Sequence, residues 1–577
     1  MPAPAAAGPT FRLPRILSSS ESIPMLHVLS TLLLLAGMSD QPYLAWTTET
    51  VKETVLPATI GQKLSPNDLA RLVDSKPRLP FHDLTCGIRL DDGSQWVGSK
   101  RGLMYRTPQM NRWRLFHSRR WLADDHVEDL SIDQSGTVWV KTPGGVVRLG
   151  RREMTLEKKV AQINDELQRN HVRLGMVGDI ELVDAAKPTA TWWQPSSDND
   201  GLWTSLYVAA EAFRYGTTGD PDAKKNAWES LKALMFLEEV TGIPGFCARS
   251  VYPADVDFKP AERHGGEWHL SADGKWWWKG DTSSDEIDGH YFAYAIYYDI
   301  AATEEERQQI RAVVARITDH IIDHGYYYVG PSGQPTTWGV WAPERLNHDL
   351  KWIDERGLNS LEILSHLKVA EHITGDQKYA RAAQELIEKH AYATNTIDQK
   401  LLWPPQAVNH SDDELAFTAY YPLVWYERDP KLRDIYMASL ERSWQIERPE
   451  QGPFFNFIYA AGRQAGFVSD PTQRPDKAYL DPSDYDRDLC LEWFREVPAD
   501  LYNWTIRNSD RQDIGEILTN RFQQKRSRYV LPVAERRLMR WNGDPFELDG
   551  GADGRSRDDG TYILLPYWMG RYHRFID

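Results

Sequence analysis

Three cysteines, Cys86, Cys247 and Cys490, are all that 577 residues contain, and none forms a CxxC pair. That scarcity argues against a disulfide framework and against a zinc knuckle. Basic residues are also in deficit, 67 against 83 acidic, for a net charge of −16. Nucleic acid is therefore not an expected partner, because phosphate binding needs a basic footprint. An anionic glycan stays open, since a local Arg/His pocket can oppose the overall charge. Long apolar runs are missing with one exception, Met25 to Met38, which holds Leu26, Val28, Leu29 and Leu32 to Leu35. It is short for a bilayer span but of the length of a signal-peptide core. Arg12 and Arg15 lie far upstream and Ala36-Gly37-Met38 is a poor cleavage site, so Met25 is a second possible start. The expectation is a secreted or periplasmic protein without a stable membrane span; the alternative is a plain N-terminal extension.

Aromatic residues are abundant instead, with 23 Trp and 26 Tyr. Such amphipathic rings suit clefts that stack on sugar faces, although large helical folds are Trp-rich as well. The length allows two to four domains, or one large helical ring with a smaller module. Between residues 81 and 150, Gly93, Trp96 and Gly102 recur as Gly136, Trp139 and Gly145, each 43 positions later. A turn, a Trp strand, a Gly turn and another strand at this period resemble the sensor-type propeller repeat. Two copies cannot close a propeller, so a small β module is expected. The division expected is 1–45 N-terminal signal or extension, 46–155 β module and 156–577 helical domain.

From Glu157 the pattern turns helical. After a linker helix (157–173), an apolar stripe through Leu202, Leu206, Ala209 and Phe213 marks a helix whose partner runs Ala223 to Val240. Further pairs are expected at 284–302 with 304–324, 359–373 with 378–393, and 412–426 with 431–445. More helical material is expected at 454–463 and 482–507. Tight turns such as Thr218-Gly-Asp-Pro221 alternate with long loops. The fold class expected is mostly α: an α/α toroid of helical hairpins after the β module.

The first helix of each pair opens on short polar or acidic residues, which in a toroid converge on one cavity. The fullest case is Asp281-Thr-Ser-Ser-Asp-Glu-Ile-Asp-Gly-His290. Ser283 and Glu286 read as a capping box, with Asp285, Glu286 and Asp288 favoured in the first turn by the helix dipole. Glu286 and His290 are one helical turn apart, and Glu362 and His366 repeat the spacing. Two such pairs could hold a metal, but no open-site signature accompanies them; neither metal nor cofactor is expected. Trp193 precedes the first hairpin. The loops add Arg249, Tyr252, His264 and Trp277, then Trp338, Trp341, Arg356 and His410. The C-terminal segment adds Tyr567, Arg571 and His573.

In hairpin pattern and aromatic content, residues 170–577 resemble the α/α-toroid glycosidases and polysaccharide lyases. The two-Trp stretch and Ser-Ser-Asp-Glu-x-x-Gly-His resemble, weakly, lyases acting between rhamnose and glucuronate. The resemblance implies a uronic-acid-containing glycan substrate, cleaved by β-elimination. It casts His290 or His366 as base and Tyr291 or Tyr252 as acid, with Arg249, Arg356 and Asn359 holding the carboxylate. The remaining binding set is then His264, Trp193, Trp277, Trp338, Trp341 and His410. The rival reading is hydrolysis by two carboxylates drawn from Asp200, Asp285, Glu286 and Asp413. A non-catalytic glycan-binding protein is the third.

Overall fold

The structure is a computed structural model that describes residues 41–183, 192–255, 266–399, 409–537 and 543–576. The apolar run at 25–38 lies outside them, as does His264. No described helix is long and apolar enough to cross a membrane.

Two antiparallel sheets come first. One holds β2 (Gln62–Lys63), β3 (Leu84–Arg89), β4 (Gln95–Ser99), β5 (Gly102–Arg106) and β6 (Arg114–Phe116), paired in that order. The other orders β1 (Tyr43–Val51), β9 (Gly145–Met154), β8 (Val138–Thr142) and β7 (Asp129–Ile132). The repeat seen in sequence is a backbone repeat: Gly93 and Gly136 both sit at φ 81°, a left-handed conformation that a side chain disfavours. The two sheets share one apolar core, in which Ile88, Trp96 and Phe116 meet Leu130, Val140 and Leu149. These sheets do not form a ring of blades, and the propeller likeness ends there. The outermost strand of the second sheet comes from before the repeats, so pairing begins at Tyr43, three residues ahead of the expected boundary.

After one short helix beside the sheets, α1 (Pro66–Val73), the helical body follows from a repeated turn. Helix α3 (Asp200–Thr218) ends on left-handed Gly219, and Asp220 caps α4 (Pro221–Glu239). Helix α7 (Arg356–Thr374) ends the same way on Gly375, with Asp376 capping α8 (Gln377–His390). A glycine stop followed by an aspartate cap and a short turn folds the chain back on itself. The other hairpins are α5 (Ser284–Ile300) with α6 (Glu304–Asp323), and α9 (Ser411–Tyr426) with α10 (Pro430–Glu447). Helix α11 (Pro453–Gln464) packs with α12 (Arg487–Glu496). The sixth pair joins the ends of the domain: α2 (Leu156–Asn170) lies against the last helix, α13 (Thr561–Tyr572).

Helices α3, α5, α7, α9, α11 and α13 each touch the next, and α13 returns to α3. That closed inner ring, with six partners outside it, is the expected α/α toroid. Its inner helices are buried nearly all round, as in α5, where residues 286–299 are all buried. An element apolar on every side has to sit inside a layer of others.

Three expectations need correction. The segment 482–507 is not one helix: a 3-10 turn, Pro482–Tyr485, precedes α12, and the chain turns extended at Val497 ahead of Pro498. Tyr562 to His573 is an inner helix rather than a pocket wall, and Tyr567 and His573 are core residues. Ser283 begins α5 but makes no cap bond, so no capping box forms.

Candidate active site

The N-termini of α5, α7 and α9 bring Asp285, Glu355 and Asp412 together. Each is half-buried, and their charges act on one another. Burial raises the Asp285 carboxyl, with Arg249 opposing. Its Oδ2 accepts a hydrogen bond from Asn199 Nδ2 at 3.1 Å. Burial, then Asp354 and Asp285, raise Glu355. Burial, then Glu355 and Asp413, push Asp412 up to about 7, and Asn409 Nδ2 donates to it at 2.5 Å. Three carboxylates on neighbouring helix ends therefore form one acidic mouth. Trp338, 51% exposed, stands on the strand Pro335–Val340. The residue before it, Thr337, donates its backbone N–H to Asp281 Oδ1 at 2.7 Å, which ties that strand to the start of α5.

Beneath the mouth is a fully buried polar layer. Glu286 accepts the Gly201 and Leu202 backbone N–H groups at 3.1 and 3.3 Å, so it caps α3 and not its own helix. His290 lies 3.2 Å from Glu286 and 3.1 Å from the Tyr294 hydroxyl. Tyr291 stacks on His366 with ring centres 4.3 Å apart, and its hydroxyl pairs with Thr318 of α6 at 2.6 Å. His366 Nε2 is 3.4 Å from Asp288, and burial lowers its pKa. Glu362 accepts from Trp341 Nε1 at 2.8 Å; burial and Asp288 hold it well above the usual carboxylate range.

No protein-family model matches the chain. No curated protein matches it either. Solved structures do. A family 76 glycoside hydrolase (mannosidase) from Bacteroides thetaiotaomicron aligns at 10% identity and TM-score 0.39, over 72% of this chain and 98% of its own. A polysaccharide lyase aligns at 10% identity and TM-score 0.34, over 73% of this chain and 96% of its own. An unsaturated glucuronyl hydrolase from Streptococcus agalactiae gives 10% identity and TM-score 0.33, over 73% of this chain and 92% of its own. Overlaps this loose assign no activity.

The site residues expected from sequence divide by burial. His290, His366, Tyr291 and Glu286 are closed off in the layer just described. Asp200 is buried too, paired with Arg173 at 2.9 Å and bonded by Ser197. Tyr252 gives its hydroxyl to the Gln194 carbonyl at 2.8 Å, and Asn359 Nδ2 donates to the Val340 carbonyl at 2.8 Å. Trp341 is core. Arg249 spans loops, donating to Asn199 Oδ1 at 2.9 Å and to the Asp281 carbonyl at 3.2 Å. Arg356, Trp193 and Trp277 are half-buried, the two tryptophans on short strands. His410 faces Asp413 at 3.4 Å and Glu450 at 3.2 Å; burial lowers its pKa, but those carboxylates outweigh it and bring it up to about 9. Glu355 and Asp412 were missed. Asp412 stands in the Ser411-Asp-Asp-Glu start of α9, one residue before Asp413. Asp354-Glu355-Arg356 lay just ahead of the expected helix start.

Proposed function

We propose that this protein hydrolyses glycosidic bonds, with Asp285 and Glu355 as the reacting pair. The observation that carries the reading is the meeting of three half-buried carboxylates at the ends of adjacent inner helices, with exposed Trp338 on a strand tied to the start of α5. Glycoside hydrolysis needs two carboxyl groups in different charge states on either side of one bond. Glu355, raised by burial and by its acidic neighbours, gives its proton to the leaving oxygen as the C–O bond breaks. Asp285, steadied by Asn199 and Arg249, takes a proton from the water that bonds to the anomeric carbon. Trp338 offers a face on which a sugar ring can stack.

Elimination is the weaker reading. It needs a base that can reach a ring proton, and His290, His366 and Tyr291 are sealed beneath the mouth. An acidic mouth also favours a neutral or amino sugar at the reacting position over a uronate. The N-terminal apolar run fits export, which would bring the chain to polymeric glycans. The two-sheet unit, up to about residue 155, reads as a support for the ring: Glu535 of the helical domain accepts from Arg112 and from the Leu115 N–H at its edge.

The test is a panel of neutral, amino and uronic glycans incubated with the purified chain. New reducing ends without ultraviolet absorbance from an unsaturated uronide support hydrolysis. An unsaturated product would overturn it in favour of elimination.

A further inference from the structure

A second cluster lies beside the mouth, between the start of α9 and the end of α10. His410, Asp413, Glu447 and Glu450 each present one ligand-type atom, and these atoms lie within 4.8 Å of one another. The pattern comes from two helical turns. His410 and Asp413 are three apart at the N-terminus of α9, and Glu447 and Glu450 are three apart where α10 ends, so each pair shares a face. The three carboxylates are buried, at 2%, 2% and 4% exposure.

A fourth carboxylate points to what is needed there. Glu414 is buried, and its Oε2 has no hydrogen-bond partner among the described residues. After burial, the charges acting on it most are Asp413, Glu450 and Glu447, which places it against the same cluster. Arg536 acts on Glu450 from the C-terminal segment, and Arg526 is held by Asp544 at 3.1 Å. Buried carboxylates at this density repel one another unless a cation or shared protons intervene.

We propose that His410, Asp413, Glu447 and Glu450 bind one divalent cation that fastens the start of α9 to the end of α10. One imidazole with three carboxylates suits zinc or manganese. Calcium prefers an all-oxygen shell and would leave His410 unused. The cation closes the hairpin at the end opposite its Arg428-Asp-Pro430 turn. It also fixes the segment that carries Asp412, so its role is positional. It is separate from the Glu286/His290 and Glu362/His366 pairs, which lie in the buried layer beneath the mouth.

The test uses the full chain, stripped with a chelator and dialysed, then supplied with zinc, manganese or calcium. Elemental mass spectrometry should find about one equivalent of zinc or manganese per chain before stripping, and readdition should restore the melting temperature that the chelator removes. Glu447→Gln and Glu450→Gln should weaken binding at least about tenfold and lose that shift. Without metal both should melt no lower than the stripped wild type, because a repelling charge is gone. Two results would overturn the proposal: no retained metal and no shift with any of the three ions, or a shift that persists in both variants.

Discussion

His290 shows how burial reverses a residue-level expectation. Read as a catalytic base, it should be removable with little effect on stability. In the structure it is fully buried, touching Glu286 and Tyr294. His290→Ala opens a cavity and strips a partner from a buried carboxylate, a loss of about 3 kcal/mol. The expected outcome is a clear fall in melting temperature; an unchanged melt with lost turnover would restore the catalytic role. The mouth residues should behave in the opposite way. Asp285→Asn and Glu355→Gln each remove a half-buried charge from a repelling group, so stability should hold or rise. Hydrolysis should fall at least about 100-fold in each. Activity surviving in either variant would move the reacting pair elsewhere in the mouth.

At the scale of elements, the link between neighbouring inner helices is a side chain that caps across the gap. Glu286 reaches from α5 to the first N–H groups of α3, and Gly201 makes room for it. A Cβ at Gly201 would lie 1.8 Å from Glu286 Oε1 and 2.9 Å from His290 Nε2. Gly201→Ala should therefore cost about 2 kcal/mol or more, since the obstructing atoms are themselves buried and bonded. Thermal melting checks it, and a variant as stable as the wild type would show that the cap is dispensable. This contact also marks the limit of what the sequence made legible. Helices, their turns and the Gly/Trp repeat are local patterns, set by periodicity and by residues such as Gly219-Asp220-Pro221, and they were readable. Ser283 and Glu286 match a capping box letter for letter, yet Glu286 serves another helix, because the ring puts α3 closer than its own Ncap. Asp412 and Asp413 were both visible, but which one faces the mouth depends on helix phase. Glu355 was hidden because its helix starts earlier than the apolar stripe suggested. The last inner helix was missed because it is apolar on every side and so carries no periodic signal.

For the molecule as a whole, one buried ion cluster joins the β sheets to the far end of the chain. Glu535 accepts from Arg511 and Arg112 at 2.9 Å each, and from the Leu115 N–H at 3.1 Å. Burial alone would raise its pKa, but Arg511 and Arg112 outweigh burial and hold it at about 2, against an ordinary 4.5. A depressed folded pKa gives stability that is complete above the unfolded value and disappears as pH falls through the folded one. The window therefore runs from about pH 4.5 down to about 2, and the full contribution is on the order of 3 kcal/mol. Glu211 works against it. Burial outweighs its partner Arg214 and raises it to about 7, so its folded form loses ground as pH climbs from 4.5 to 7. Glu535→Gln separates the two. At neutral pH it leaves Arg511 and Arg112 without their shared carboxylate, and the melting temperature should drop sharply. As the acid limb is descended the wild type loses what the variant already lacks, so the two melting curves should converge toward pH 2. Parallel curves over that range would mean that Glu535 is not the group whose protonation loosens the junction.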